Sequence, residues 1–310
     1  MNIEGKMLTV KSRFFKSAAA LSVAALALTA CGDSDEGGNG EAAGGDGGEI
    51  TIGVFNGWEE GVAASELWAY ILEEEGYEVT LEYADPAPVY SGVATNDYNF
   101  TLDTWLPVTH ADYVEEYSED ITDLGVWNDE SSLHLAVNED APIDSLDELA
   151  ENADEFNNEI VGIDPGAGLT QTTESEVIPT YGLEDMDYTT SSTPAMLQEL
   201  ETATEAGDNI VVTLWRPHWA YDAYPIKDLE DPEGALGDTE SIHTYANTEW
   251  AEDEANADVV GWLEDFEMDS DTLYSLENVM FNENPDTDDY RPIVEEWVSE
   301  NQEYVDGLTN

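Results

Sequence analysis

Apolar positions follow two rhythms along this chain, and their alternation predicts its elements. Runs at 49–55, 79–83 and 98–103 read as strands. Between them, 60–76 carry Val62, Ala63, Leu67, Ile71 and Leu72 on one helical face that Gly76 ends, and 88–94 read as a shorter helix. Strand, helix, strand, helix, strand implies a parallel sheet with helical crossovers. The pattern then recurs: a strand at 160–163, a helix from the glycine turn 164–170 to Tyr181, a weak strand near Tyr188, a helix at 194–206 with Pro194 in its first turn, and a strand at 210–214. Between the two halves, 111–117 should be helical and 132–137 should form a strand leaving the first half. Ser145-Leu146-Asp147-Glu148 has the form of a capping box opening a helix through about Asn152. A return strand at 241–246 and helices at 250–266, 271–281 and 289–304 complete the pattern.

The first 48 residues belong to neither rhythm. Lys6, Lys11, Arg13 and Lys16 precede the apolar run 18–30, which is shorter than a membrane span and ends in Leu28-Thr29-Ala30-Cys31. Residues 1–31 therefore read as an export signal. Cys31, the chain's single cysteine, stands in a pattern that resembles the lipobox of bacterial lipoproteins, whose thiol receives a diacylglycerol. With no second cysteine, a disulfide within the chain is excluded. Residues 32–48, rich in glycine and acid, read as a flexible tether, so the folded body should start at Glu49.

Charge changes the picture next. The formal charge is −65, but four of the seven basic residues and one of the 72 acids precede Cys31, which leaves three basic against 71 acidic residues. Self-repulsion on that scale strains a domain in dilute buffer, whereas molar salt shortens the Debye length to about 3 Å. The composition reads as adaptation to brine outside the cell. It excludes a nucleic-acid partner, because nothing could neutralise phosphates. A calcium protein is the competing account, but no D-x-D-x-D-G loop occurs.

The candidate chemistry lies where strands end. Trp105 in TLDTWLPVTH, Trp58 in FNGWEEG and Trp215 in VVTLWRPHW each follow an apolar strand, the position at which open α/β sheets hold ligands. Three indoles converging on one cleft would form an aromatic box for a quaternary ammonium, at ~0.5–2 kcal/mol per ring. Trp219 competes with Trp215 for the third wall. Trp68, Trp127, Trp250, Trp262 and Trp297 fall inside amphipathic segments and are assigned to packing, as are His134 and His243 in apolar strands; His218 packs or caps. A second anchor is offered by Asp164-Pro165-Gly166-Ala167-Gly168-Leu169-Thr170: the amides of Gly168 and Leu169 at a helix start can hold a carboxylate, and His110 can donate to it from the other lobe. Glycoside hydrolysis is the enzymatic alternative, but no acid pair stands out among so many acids, and no nucleophile elbow, metal-ligand cluster or cofactor motif is present.

The segments GWEEGVA, TLDTWLPVTHADY, GIDPGAGLTQTTE and LWRPHWAYDAY resemble those of glycine betaine-binding subunits of osmoprotectant ABC transporters, over about 49–304. The resemblance implies a two-lobed α/β clamshell of the type II periplasmic-binding-protein kind, with lobe 1 at 49–138 and 246–310 and lobe 2 at 139–245. It also implies a prism of Trp58, Trp105 and Trp215 around the trimethylammonium, with Gly168, Leu169 and His110 on the carboxylate. No cofactor is implied. The partners implied are glycine betaine or a related quaternary-ammonium zwitterion, with choline, carnitine or another small solute as the alternative ligand, an ABC permease with its ATPase subunits, and the membrane through a lipid on Cys31. Members with the two lobes exchanged in order exist in this family, so spacing alone does not fix the third wall.

Overall fold

The computed structural model describes residues 47–309 apart from 286 and 288. The expected signal, Cys31 and all but the last two residues of the tether lie outside the described residues. From Glu49 the chain alternates as its apolar rhythm requires: β1 (Glu49–Phe55), α1 (Glu59–Glu74), β2 (Glu78–Ala84), α2 (Pro86–Ala94), β3 (Phe100–Leu106) and α3 (Ala111–Glu116). β4 (Ile121–Asn138) leads to β5 (Glu159–Gly162), α4 (Gly168–Thr172), α5 (Ile178–Tyr181), β6 (Asp187–Thr190), α6 (Thr193–Ala206), β7 (Val211–Arg216), α7 (Ala220–Ala223) and β8 (Ile226–Asp228). β9 (Glu240–Asn247) precedes α8 (Thr248–Ala251), α9 (Ala257–Glu264), α10 (Ser270–Glu277), α11 (Arg291–Glu300) and α12 (Gln302–Gly307).

Each half holds the parallel sheet that its strand and helix order predicts. β1 pairs parallel with β2 and β3, and β5 pairs parallel with β6 and β7. What joins the halves is antiparallel, so the whole is mixed, in the order β2-β1-β3-β9-β4-β7-β5-β6 with β8 against β4. β4 is the joint. Ile121 to Ser131 pair with β9, and from Ser132 the same strand pairs with β7. The sequence pattern shows only its last part, because register shifts at Asp123/Gly125, Val126/Asn128 and Asn128/Ser131 break the alternation before it.

Two helix expectations need correction. The capping box at Ser145 does not form: Ser145 is bridged to Glu230, its hydroxyl donates to the Glu230 carbonyl at 3.2 Å, and Glu148 accepts from the Asp144 N–H at 2.9 Å. Two 3₁₀ turns, Leu146–Glu148 and Ala150–Phe156, take the place of a helix. The second is at the C-terminus, where the expected helix 250–266 breaks at Asp253, which accepts from the Ala255 N–H and opens a fresh turn, and 289–304 breaks at Asn301. Asn247 and Asp269, accepting from the Trp250 and Thr272 N–H groups, cap the starts of α8 and α10, and the expected helix 271–281 is helical throughout. α1 is buried against β1, β2 and β3, with Trp68 edge-on to Phe266 at 5.3 Å. Among the described residues no helix is long and apolar enough to cross a membrane.

Candidate ligand-binding site

Three tryptophans from three elements face one cavity. Gly57, at φ +72°, turns the chain out of β1 so that Trp58 stands as the N-cap of α1. Trp105 and Trp215 are the last residues but one of β3 and β7, inside their strands rather than just beyond them. With them the cavity is lined by His110, Gly168 and Leu169, so all six residues singled out in the sequence meet there, together with Glu60, Thr109, Leu133, Ile163 and Ala167. Its empty volume, open mouth included, is about 290 Å³.

His110 is fixed by its neighbour in the wall. Its Nδ1 accepts the Trp105 backbone N–H at 2.8 Å, the His110 backbone N–H donates to the Trp105 carbonyl at 3.0 Å, and its ring stacks on Trp58 at 5.4 Å and 14°. Full burial lowers its pKa to about 3. The ring is therefore neutral with Nδ1 as acceptor, which puts the proton on Nε2, a buried atom without a protein partner. A donor is thus held ready at the cavity wall.

Opposite it, α4 begins at Gly168 after Ala167 in extended conformation, and the first N–H groups of a helix have no partner within it. Gly168 must be glycine because a Cβ there would lie 2.5 Å from Thr109 Cγ2 and 2.6 Å from the Thr109 carbonyl oxygen. Thr109 cannot withdraw, because Glu240 accepts the N–H groups of Val108 and Thr109, each at 2.9 Å, and the Thr109 hydroxyl as well.

Carboxyl groups stand behind the rings. Trp105 donates its indole N–H to Asp103 at 2.8 Å, and Trp215 donates its own to Glu60 at 2.8 Å. Burial pushes Asp103 up to about 7, the Trp105 indole N–H opposing. Glu60 is raised well above the carboxylate range by burial first, then by the charges of Asp103 and Glu277, against its own backbone N–H. Glu277 is raised by burial and then by Glu59, the Trp219 backbone opposing.

Trp219 is elsewhere. It lines a separate groove with Glu59, Tyr224 and Phe281 and stacks on His218 at 5.7 Å. His218 accepts the Ala220 N–H on Nδ1 and brings Nε2 to 3.3 Å from Glu59. His134 and His243 bond the serines two residues before them, Ser132 and Ser241, and lie beside Asp228 and Asp123. Trp68, Trp127, Trp250 and Trp297 are buried in the core and Trp262 packs against it half-buried. The sequence reading missed Glu60, Asp103, Thr109 and Glu240. Asp103 alone had a signal, as the one charged residue within a short strand. Among the described residues no group of three or more His, Cys, Asp or Glu is placed to hold a metal ion.

Residues 48–300 match the family described as the substrate binding domain of ABC-type glycine betaine transport systems, OpuAC. The chain belongs to this family. As an OpuAC-type domain it is 35% identical over 167 residues to the glycine betaine/carnitine transport binding protein GbuC of Listeria monocytogenes, a stretch that covers 53% of this chain and 52% of the relative. That match spans about half the length of the relative. The structure is similar to lactococcal OpuAC in its closed conformation with glycine betaine, at TM-score 0.77 and 25% identity over 84% of this chain and 99% of that one. It is equally similar to the glycine betaine/L-proline-binding protein ProX from Borrelia burgdorferi, at TM-score 0.77 and 28% identity over 84% and 97%. The OpuAC domain therefore has the two-lobed, type II periplasmic-binding-protein fold.

Proposed function

We propose that this OpuAC domain binds glycine betaine, or a closely related methylated zwitterion, and delivers it to an ABC permease as an osmoprotectant, without chemical turnover. One observation carries the reading: three indoles and a neutral imidazole with a spare donor share a cavity whose far wall is a helix start. Three rings contribute about 3–6 kcal/mol to a desolvated trimethylammonium, whereas micromolar binding needs about 8 kcal/mol. The remainder falls to the carboxylate, held by His110 Nε2–H and the amides of Gly168 and Leu169, each charged hydrogen bond adding ~1.5–3 kcal/mol.

The lobes divide where the pairing changes sheet. We place the first crossing at Ser131/Ser132 on β4 and the second between β8 and β9, somewhat before the boundaries at 138 and 246 that the sequence suggests. Trp58, Trp105 and His110 then belong to lobe 1, and Gly168, Leu169 and Trp215 to lobe 2, so ligand favours closure. Export, with lipid on Cys31 anchoring the domain to the outer face of the membrane, completes the reading. Cys31→Ser should free the protein from membranes, and a Cys31→Ser protein that stays anchored would refute that part.

The binding test is calorimetric titration in molar salt with glycine betaine, carnitine and choline. Glycine betaine should bind in the micromolar range or tighter, and choline, which lacks the carboxylate, about tenfold or more weaker. Equal affinity for the two would remove the carboxylate clamp.

A further inference from the structure

The bond between Glu60 and Trp215 holds one wall of the box from the other half of the fold. It joins the first turn of α1 to β7 across 155 residues of sequence, is 2.8 Å long, and both partners are almost fully buried. Trp105 also hangs its indole on a carboxylate, but on its own strand, from Asp103 two residues before. The two bonds orient two walls alike, yet only that of Trp215 runs between the two sheets, from α1 on the first to β7 in the second. A ring held at its backbone and at its N–H cannot turn. His218, edge-on to the Trp215 ring at 4.7 Å and 85°, closes off the other direction.

We propose that Glu60 is the positioning residue of the third wall: it latches Trp215 of the second lobe to the first, so that closing the cleft and completing the aromatic box are one step. The inference rests on the ligand reading above and deepens it. The latch needs an acceptor, and a carboxyl offers one whether ionised or protonated, so the upward push on Glu60 from burial and from Asp103 and Glu277 does not break it. Glutamine should therefore replace Glu60, and alanine should not.

The experiment is a double-mutant cycle on the full chain, Glu60→Ala, Trp215→Phe and the pair together, with Glu60→Gln alongside, titrated with glycine betaine in molar salt. Trp215→Phe keeps a ring but removes the donor. Each single variant should lose about tenfold in affinity, mainly through faster dissociation. The double variant should fall within about threefold of either single, and Glu60→Gln should lie within about threefold of wild type. ¹⁵N-indole labelling gives the readout that general destabilisation would not move. The Trp215 N–H resonance, identified by its absence in Trp215→Phe, should exchange slowly in wild type and Glu60→Gln and quickly in Glu60→Ala. Additive losses, or wild-type affinity in Trp215→Phe, would overturn the latch. Should Glu60→Ala fail to fold, Trp215→Phe and Glu60→Gln decide by the same criteria. If wild type binds no glycine betaine, the ligand reading fails. The latch is then judged with choline or carnitine as the closing ligand, where a Trp215 indole that exchanges alike in wild type and Glu60→Ala would overturn it.

Discussion

Asp103 and His110 share Trp105, the first taking its indole N–H and the second its backbone N–H, yet they respond to pH in opposite senses. Asp103 is raised to about 7 from an unfolded value of about 3.9, so its contribution to stability is complete below about pH 4 and is lost as pH rises through 7. His110 is lowered to about 3 from about 6.5, so its contribution is complete above pH 6.5 and is lost as pH falls towards 3. Between about pH 4 and 6.5 the two slopes oppose each other. Asp103→Asn keeps an acceptor for the indole and removes one slope. Its melting temperature relative to wild type should climb between pH 4 and 7, and a constant offset would show that Asp103 is not neutral in the fold. His110→Ala should weaken glycine betaine by roughly 10- to 100-fold, the loss of a charged hydrogen bond, and choline by much less, as titration will show. At this scale the tryptophans were legible because each ends an apolar strand, while Glu60 was one acid among 72 and only a contact across the fold distinguishes it.

Elements were legible in proportion to how local their cause is. β1, α1, β2 and α6 follow from apolar period and end signals, and the structure has them within a residue or two. β4 did not, since its bulges interrupt the alternation that marks a strand, and its partners are β9 and β7, which come later in the chain. The supposed capping box failed for a similar reason: Ser145 has a partner 85 residues away that outcompetes the helix it was expected to start. The start of α4 gives the element-scale prediction. Gly168→Ala pushes a methyl into the Thr109 carbonyl, which Glu240 holds in place, so the closed approach of α4 to the loop before His110 is blocked. Overpacking of that kind costs about 1–3 kcal/mol. Affinity should fall accordingly while the ligand-free melting temperature stays near wild type, and small-angle scattering should show a protein that remains extended in saturating glycine betaine. Unchanged compaction on ligand addition would mean that α4 does not approach Thr109 as described.

At the scale of the molecule, the two-lobed architecture was visible in the repeated strand and helix order, but its mixed sheet was not, because antiparallel joining strands leave no order signal in sequence. The acidity has a structural counterpart. All three basic residues of the folded body are engaged internally: Arg216 with Asp228 at 2.8 Å, Lys227 with Asp144 at 2.6 Å, and Arg291 with Glu73 at 2.5 Å while lying over the Tyr70 ring. The 71 acids after Cys31 have no comparable supply of counter-charge. Melting temperature should therefore rise steeply from dilute buffer to molar sodium chloride, and a flat response would assign the acidity another purpose. The same arrangement bears on how this domain would meet a permease. With every cation already occupied, its surface presents one sign of charge, and at molar ionic strength that field dies within about 3 Å. In such salt nothing would draw the two together from a distance, so their encounter rate would be set by diffusion and orientation, and recognition would be left to surfaces that already touch.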